Sequence, residues 1–343
     1  GDNIGAGGSS RNGGGVRQSG RDPRELPVAM YGIQHIWPTL SEELGVNVEY
    51  HQSGNLRLGK TERHLEILTG LANKAKAEGL GVEMIDAKTV HELNPYLTDE
   101  VIGASWCPTD GHANPMKATL AFYKRARDLG VTFFSGEPVI ALKKIKGRAR
   151  QVLTANGNVF EAETIVVAAG NGSRPIAESV GVTVPLLPYY IEALVTEMQP
   201  QMFDMMLGTA DADFYGHQCE HGSFVFGSGT DLEAFLDREY PNDLRTDSIT
   251  ASHGCRAVMG YIPALKDAKI VRTWGGYMDA TPDHTPIVSF VEEVPGMILA
   301  CGFNGHGFGP GPATGLLISQ MVLGEETFAS LDDMRYDRFA GMA

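Results

Sequence analysis

Two continuous apolar runs, each ending in small residues and each leading into a helix, constrain the fold of this chain most. They are "TIVVAAG" (164–170) and "GMILACG" (296–302). A half-buried strand alternates apolar and polar residues, whereas a run without alternation suits a strand covered on both faces of a parallel sheet. The first run leads into a helix expected near Ser173, and the second passes through "FNGHGFGPG" into the helix "PATGLLISQMVLG". Strand, loop and helix in that order require α/β layering. They also place Ala168, Ala169, Gly170 and the loop after Gly302 at carboxyl strand ends, where open α/β sheets bind ligands.

A third bare stretch opens the chain: "GAGGSSRNGGGVRQ" (5–18). Glycine backbone admits the close approach of a flat or phosphorylated ligand, and Ser9 and Ser10 add hydroxyl donors. The competing reading is a flexible terminus, since glycine runs alone are weak signals. Between these landmarks, "TERHLEILTGLANKAKAEG" has helical spacing with Thr61 as N-cap, and a second helix is expected from Pro115 to Leu129. "VNVEYHQSGNLRLG" reads as two strands turning at Ser53–Gly54, "VTFF" as another strand, and residues 138–163 as a β-meander turning at Gly147 and Asn156–Gly157. Residues 189–272 hold alternating segments such as "YIEALVTEM" and "GSFVFGSG", which suit a mostly antiparallel layer. The expected architecture is α/β interleaved with α+β.

A formal net charge of -14 excludes a general nucleic-acid binder. No apolar run reaches membrane-spanning length. Cys107, Cys219, Cys255 and Cys301 form no C-x-x-C pair, so buried free thiols in a reducing compartment are expected. His217 and His221 flank Cys219, but they suit an exposed strand-turn better than a metal site, and no metal is expected. Asp283 in "TPDHTP" reads as a turn former.

Taken in order, "SSRNGGGVR", "VVAAG", "RTWGGYMDATPDHTPI" (272–287) and "GFNGHGFGPGPATG" (302–315) resemble the landmarks of the FAD-dependent D-amino-acid oxidase family. The likeness is strongest to its sarcosine-oxidase β-subunit branch, which includes opine oxidase, proline or hydroxyproline dehydrogenase and cyanide-forming glycine dehydrogenase subunits. The resemblance implies a Rossmann-like FAD-binding domain (1–45, 111–182 and 271–343) interleaved with a substrate domain on a mostly antiparallel sheet (46–110 and 183–270). The family's first strand, its G-x-G-x-x-G loop and the following helix would stand before Gly1, so an interrupted domain is expected.

The implied cofactor is noncovalent FAD, because Gly276 or a neighbour stands where monomeric sarcosine oxidases have their attaching cysteine. The implied cofactor contacts are Gly8, Ser9, Ser10, Arg11, Asn12, Gly13, Gly14 and Gly15; Val139 at the adenine; Ala168, Ala169 and Gly170; Gly276; and Gly302, Gly305, His306, Gly307 and Phe308. His306 and Arg17 are the candidate catalytic residues, with Arg21 beside Arg17 as a further carboxylate partner or a structural arginine. His51, Tyr215, Tyr261 and Met278 are the candidate substrate contacts. The family's usual carboxylate anchors are replaced by Gly309 and Met278.

The implied activity is oxidation of an amino acid or secondary amine by hydride transfer to flavin N5. The chain would act as the catalytic subunit of a hetero-oligomer with a second, iron–sulfur or flavin-bearing redox subunit. A self-contained oxygen-using oxidase and a non-catalytic flavin-fold assembly subunit are the alternatives. The expected location is cytoplasmic or peripheral at the inner membrane, with no transmembrane segment.

Overall fold

The computed structural model describes residues 3–212, 214–228 and 248–341. The opening folds as a short helix α1 (Gly8–Arg11) and strand β1 (Gly15–Val16). Helix α2 (Leu26–Tyr31) then runs through a π turn (Gly32–Ile36) and a 3-10 turn at Pro38 into α3 (Leu40–Leu44). The proline removes an amide donor, and the helix tightens there. Next come β2 (Asn55–Gly59), α4 (Glu62–Ala77), β3 (Glu83–Asp86), α5 (Ala87–Leu93), β4 (Gly103–Cys107), β5 (Gly111–His112) and α6 (Pro115–Asp128). Thr61 and Asn114 cap α4 and α6 by accepting from His64 N–H and Lys117 N–H.

The chain continues through β6 (Val139–Ile145), β7 (Arg148–Thr154), β8 (Val159–Glu161), β9 (Ile165–Val167) and α7 (Ser173–Glu178). Then follow β10 (Leu187–Thr196), β11 (Met206–Thr209), β12 (Tyr215–Gln218), β13 (Phe224–Ser228), α8 (Ser248–Tyr261), β14 (Ile270–Ala280), β15 (Ile287–Phe290), β16 (Met297–Cys301) and α9 (Gly311–Leu323). Gly324 ends α9 in the left-handed conformation (φ 71°).

The α/β layer holds the two apolar runs side by side: β9 pairs in parallel with β16, and β15 completes a three-stranded sheet. β16 is buried throughout, but Val166 in β9 is 38% exposed, so that strand is covered less completely than its composition implied. The meander β6–β7–β8 forms as expected, turning at Gly147 and Gly157 with positive φ. The larger sheet runs β14-β10-β13-β12-β11-β2-β4-β3 and is antiparallel except at the β11–β2 junction.

Its two faces follow the period of two. Leu56, Leu58, Leu207, Phe214, Phe224, Phe226 and Leu194 pack against α8 in one core. The residues between them face the opening glycine segment. Arg57, Gly208, Tyr215, Gly227, Ala193 and Trp274 lie in register as one row across six strands on that face.

Two expected strands do not form. Residues 46–50 are irregular because Val48 and Tyr50 pack into a cluster with Ile33, Trp37, α3 and α6, and Glu49 has a positive φ of 55°. His51 contributes only an isolated bridge to His112. "VTFF" is also irregular, and Phe133 packs on Tyr123 of α6 rather than in a sheet. The four cysteines are free thiols, with Cys107 and Cys301 buried and the other two half-buried. No helix among the described residues is long and apolar enough to cross a membrane.

Candidate functional site

Three chain segments converge on one cleft. Trp274 Nε1–H donates to the Arg11 carbonyl at 2.7 Å, and Arg11 Nη1–H returns a bond to the Gly275 carbonyl at 2.7 Å. The α1 turn is thereby stitched to β14. A β-carbon on Gly276 would lie 3.4 Å from the Arg11 side chain, so the two segments are in contact there. Asn171, just past β9, donates from Nδ2 to the Met278 carbonyl at 3.0 Å. Met278 in turn covers Gly305, where a β-carbon would collide with its sulfur and where φ is +77°. Gly7, Gly8, Ser9, Ala168, Ala169 and Gly305 are exposed where these segments meet. The cleft is therefore walled by small residues from distant parts of the chain.

The 302–308 loop is fixed from β14. Asp279 Oδ2 accepts from Gly302 N–H at 2.6 Å, and Asn304 Oδ1 accepts from Thr281 N–H at 2.9 Å. Burial pushes the Asp279 carboxyl upward, with the Gly302 amide opposing. The loop then meets the opening segment directly. Arg21 Nη1 donates to His306 Nδ1 at 2.7 Å, and Arg21 Nη2 donates to the His306 carbonyl at 2.9 Å. Trp37 Nε1 donates to the Gly309 carbonyl at 2.7 Å, and a β-carbon on Gly309 would press on Arg17 N and Gly15 O.

Arginine is a donor only, so His306 Nδ1 must be the acceptor and a neutral ring carries its proton on Nε2. Burial and then the Arg21 and Arg17 charges hold the His306 pKa well below its usual value, so the ring is neutral. Arg21 is itself anchored by Glu25 at 3.3 Å, with both side chains almost wholly buried. Burial raises the Glu25 pKa against the pull of Arg21. Arg21 is thus structural, and it positions His306.

Beside the cleft lies a cavity of about 180 Å³, lined in part by Asn12, Gly13, His51, His112, His217 and Trp274. His112 and His217 stack at 3.8 Å, and His51 sits 5.2 Å from His112. Burial depresses the His112 pKa to about 4 and that of His217 well below the usual value. The expectation of an exposed strand-turn at 217–221 is corrected for His217: it points from β12 onto the buried face, and only His221 is exposed. Among the described residues no cluster is able to hold a metal ion.

The other expected residues divide. Tyr215 lies over the opening segment, its ring pressed on Gly13 and Gly227, and burial raises its pKa. Gly14 packs on the Ala113 carbonyl, and Gly15 pairs with His112. Val139 begins β6 on the small separate sheet and is exposed. Tyr261 is a correction. It ends α8 rather than lying on a strand, and packs in the core on the far face of the large sheet, with Lys60 Nζ 4.2 Å from its ring centre. Asp283 accepts from Arg24, Arg338 and Thr285 N–H, as a turn former would. Trp274, Asp279, Asn171, Glu25 and Arg57 were missed. The alternation of "RTWGGYMDA" and "NLRLG" carried the signal for Trp274 and Arg57, since it separates their face from the core face.

Residues 1–321 match the family described as FAD dependent oxidoreductase. The chain is 25% identical over 341 residues to the sarcosine oxidase subunit beta of Rhizobium meliloti, covering 98% of this chain and 80% of that protein. It is 28% identical over 333 residues to mitochondrial dimethylglycine dehydrogenase of Rattus norvegicus, covering 90% of this chain but only 38% of that protein. The crystal structure of L-proline dehydrogenase from P. horikoshii superposes with a TM-score of 0.88 at 27% identity, covering 97% of this chain and 88% of that one.

Proposed function

Because the chain belongs to the FAD dependent oxidoreductase family, we propose that it takes two electrons from the C–H beside the nitrogen of an amino acid or secondary amine, as the FAD-binding catalytic subunit of a hetero-oligomer. One observation supports this reading: hydrogen bonds bring the opening glycine segment, the residues after β9 and the 302–308 loop together around β14 with small, exposed residues between them, and we read that space as one cleft. That cleft fits the flat, extended part of a flavin cofactor, since Gly7, Gly8 and Gly170 have open space where a side chain would stand. FAD, when bound, supplies the two-electron acceptor.

Gly7 to Arg11, Ala168 to Gly170 and Gly305 to Phe308 would hold it. His306 would offer its Nε2–H, and the α9 amino end its dipole, to the negative charge the cofactor gains on reduction. Gly276 has no side chain to form a covalent link, so the cofactor is held noncovalently and acid precipitation should release it. Tyr215, Trp274 and Met278 exclude water from the reacting face. The neutral His112 and His217 rings leave the adjoining cavity without added positive charge, so an incoming amine is not repelled there.

The names of the subunit-beta relatives support a hetero-oligomer, and the role we give the partner is that of electron acceptor. The test is an anaerobic screen of the FAD-loaded protein against glycine, sarcosine, D- and L-proline, hydroxyprolines and opines. Bleaching of the oxidised flavin by at least one of them is expected. A stable yellow protein unaffected by all of them refutes turnover and favours the assembly-subunit reading.

A further inference from the structure

The stretch "KKIKGRAR" (143–150) holds five of the chain's 28 lysines and arginines and no Asp or Glu, in a protein of net charge -14. It forms the hairpin between β6 and β7, in which Ile145 pairs with Arg148 across a two-residue turn. Lys146 and Gly147 occupy that turn with φ of 49° and 80°, the left-handed pair that such a turn requires. Leu142 and Ala149 anchor the hairpin, buried with Ile165, Ala177 and Val180 in one core. Lys143, Lys144, Ile145, Lys146 and Arg148 are exposed at its tip.

The charge of this tip is not compensated locally. Among the described residues Lys143, Lys146 and Arg148 enter no ion pair. Lys144 Nζ donates to the Val180 carbonyl at 3.1 Å, and Arg150 meets the exposed Glu163 only at 3.9 Å. Acids on the sheet and the neighbouring segments are engaged elsewhere: Glu161 by Gln151, Glu178 by Arg174, Glu292 by Arg335 and Glu293 by the Tyr336 hydroxyl. The hairpin also has a fixed place relative to the cleft. Ala149 N–H donates to the Pro295 carbonyl at 3.0 Å, and Ile165 N–H to the Gly296 carbonyl at 2.8 Å. The tip therefore adjoins the amino ends of β9 and β16, whereas the cleft lies past their carboxyl ends.

We propose that this hairpin docks the protein reversibly on an anionic lipid surface, with the cleft turned away from the bilayer. Lysines and arginines at such a surface are attracted to the headgroup charge, and an apolar side chain among them gains by shallow burial. Ile145, 38% exposed between Lys144 and Lys146, is that side chain. The protein's net negative charge opposes docking only weakly, because charges beyond the Debye length of about 8 Å at physiological salt are screened. A folded protein partner would need a broad, shaped contact of about 800 Å² on each side. A two-residue turn crowded with cations has no apolar centre for that, whereas a fluid surface of dispersed charge needs none. The docking is independent of what the cleft oxidises.

The experiment is co-sedimentation of the FAD-loaded protein with vesicles of phosphatidylcholine alone and of phosphatidylcholine mixed with phosphatidylserine. Binding to the mixed vesicles should be at least about tenfold tighter at physiological salt, and molar salt should abolish it. Lys143→Gln/Lys146→Gln/Arg148→Gln should lower that binding by about tenfold or more, with an unchanged melting temperature because all three side chains are exposed. Lys74→Gln/Lys76→Gln/Lys88→Gln, which removes equal charge from α4 and α5, should bind as the parent does. Ile145→Ser should weaken binding severalfold without changing its salt dependence. Equal binding to both vesicles, unchanged binding in the folded hairpin variant, or an equal loss in the α4–α5 variant overturns the proposal. Polyglutamate or transfer RNA binding the hairpin more tightly, per anionic charge, than the mixed vesicles overturns the lipid assignment.

Discussion

Replacing Arg21 by methionine tests the buried ion pair that positions His306. Arg21 and Glu25 side chains are 1% and 4% exposed, and their atoms approach to 3.3 Å. Removing the cation leaves the buried Glu25 carboxylate beside His306 Nδ1 alone, 3.4 Å away, and breaking a buried pair from one side costs about 3–5 kcal/mol. Replacing both partners with apolar groups removes the stranded charge, so Arg21→Met/Glu25→Leu should be less destabilised than Arg21→Met alone by at least about 1 kcal/mol. Recovery stays partial, because the Arg17 and His306 carbonyls lose the donors Arg21 supplied.

The pH dependence has a defined sign. The folded-state pKa of Glu25 is already raised by burial and rises further without Arg21. A raised carboxyl contributes its stability at low pH and loses it as pH climbs through the folded value. The deficit of Arg21→Met relative to the parent should therefore grow from pH 5 to pH 8. Urea unfolding of the three proteins across that range, at equal m-values, is the measurement. A double variant as unstable as the single, or a deficit that shrinks with rising pH, refutes the assignment of Arg21–Glu25 as a charge-compensated pair.

Three further outcomes are expected. His306→Ala should slow anaerobic flavin reduction by more than tenfold while changing FAD affinity less, as read by stopped-flow and by cofactor titration; equal effects on both would return His306 to a structural role. The protein should lose stability as pH falls below about 6.5, because His112 is protonated in the unfolded chain there but only near pH 4 when folded. That difference amounts to about 3 kcal/mol for full protonation, and His112→Gln should flatten the acid limb of a melting-temperature profile. Gly305→Ala should cost about 1–2 kcal/mol for its positive φ and also displace Met278, which a thermal melt and a weakened FAD affinity would report together.

Local patterns were enough to locate most elements. Continuous apolar runs marked β9 and β16, the 3.6-residue spacing marked α4 and α6, and glycine at Gly147, Gly157 and Gly324 marked turns and a helix end. Each depends on interactions within a few residues, or on solvent contrast between two faces, so the amino-acid order determines it. The resemblance of four ordered stretches extended that reading to the family.

What the order could not decide was which side of a layer each polar residue would occupy. Tyr261 was expected over the cleft and lies in the opposite core, because α8 ends there and carries it to the far face of the sheet. His217 was expected at the surface and is buried, because β12 sits between two other strands and turns it inward. Arg57 looks like an ordinary polar residue in an alternating strand until strand register sets it beside Arg17. The neutral tautomer of His306 likewise depends on Arg21, 285 positions away in the chain. Long-range pairing, burial and charge compensation belong to the assembled layers. They become physical quantities only when the chain has closed on itself.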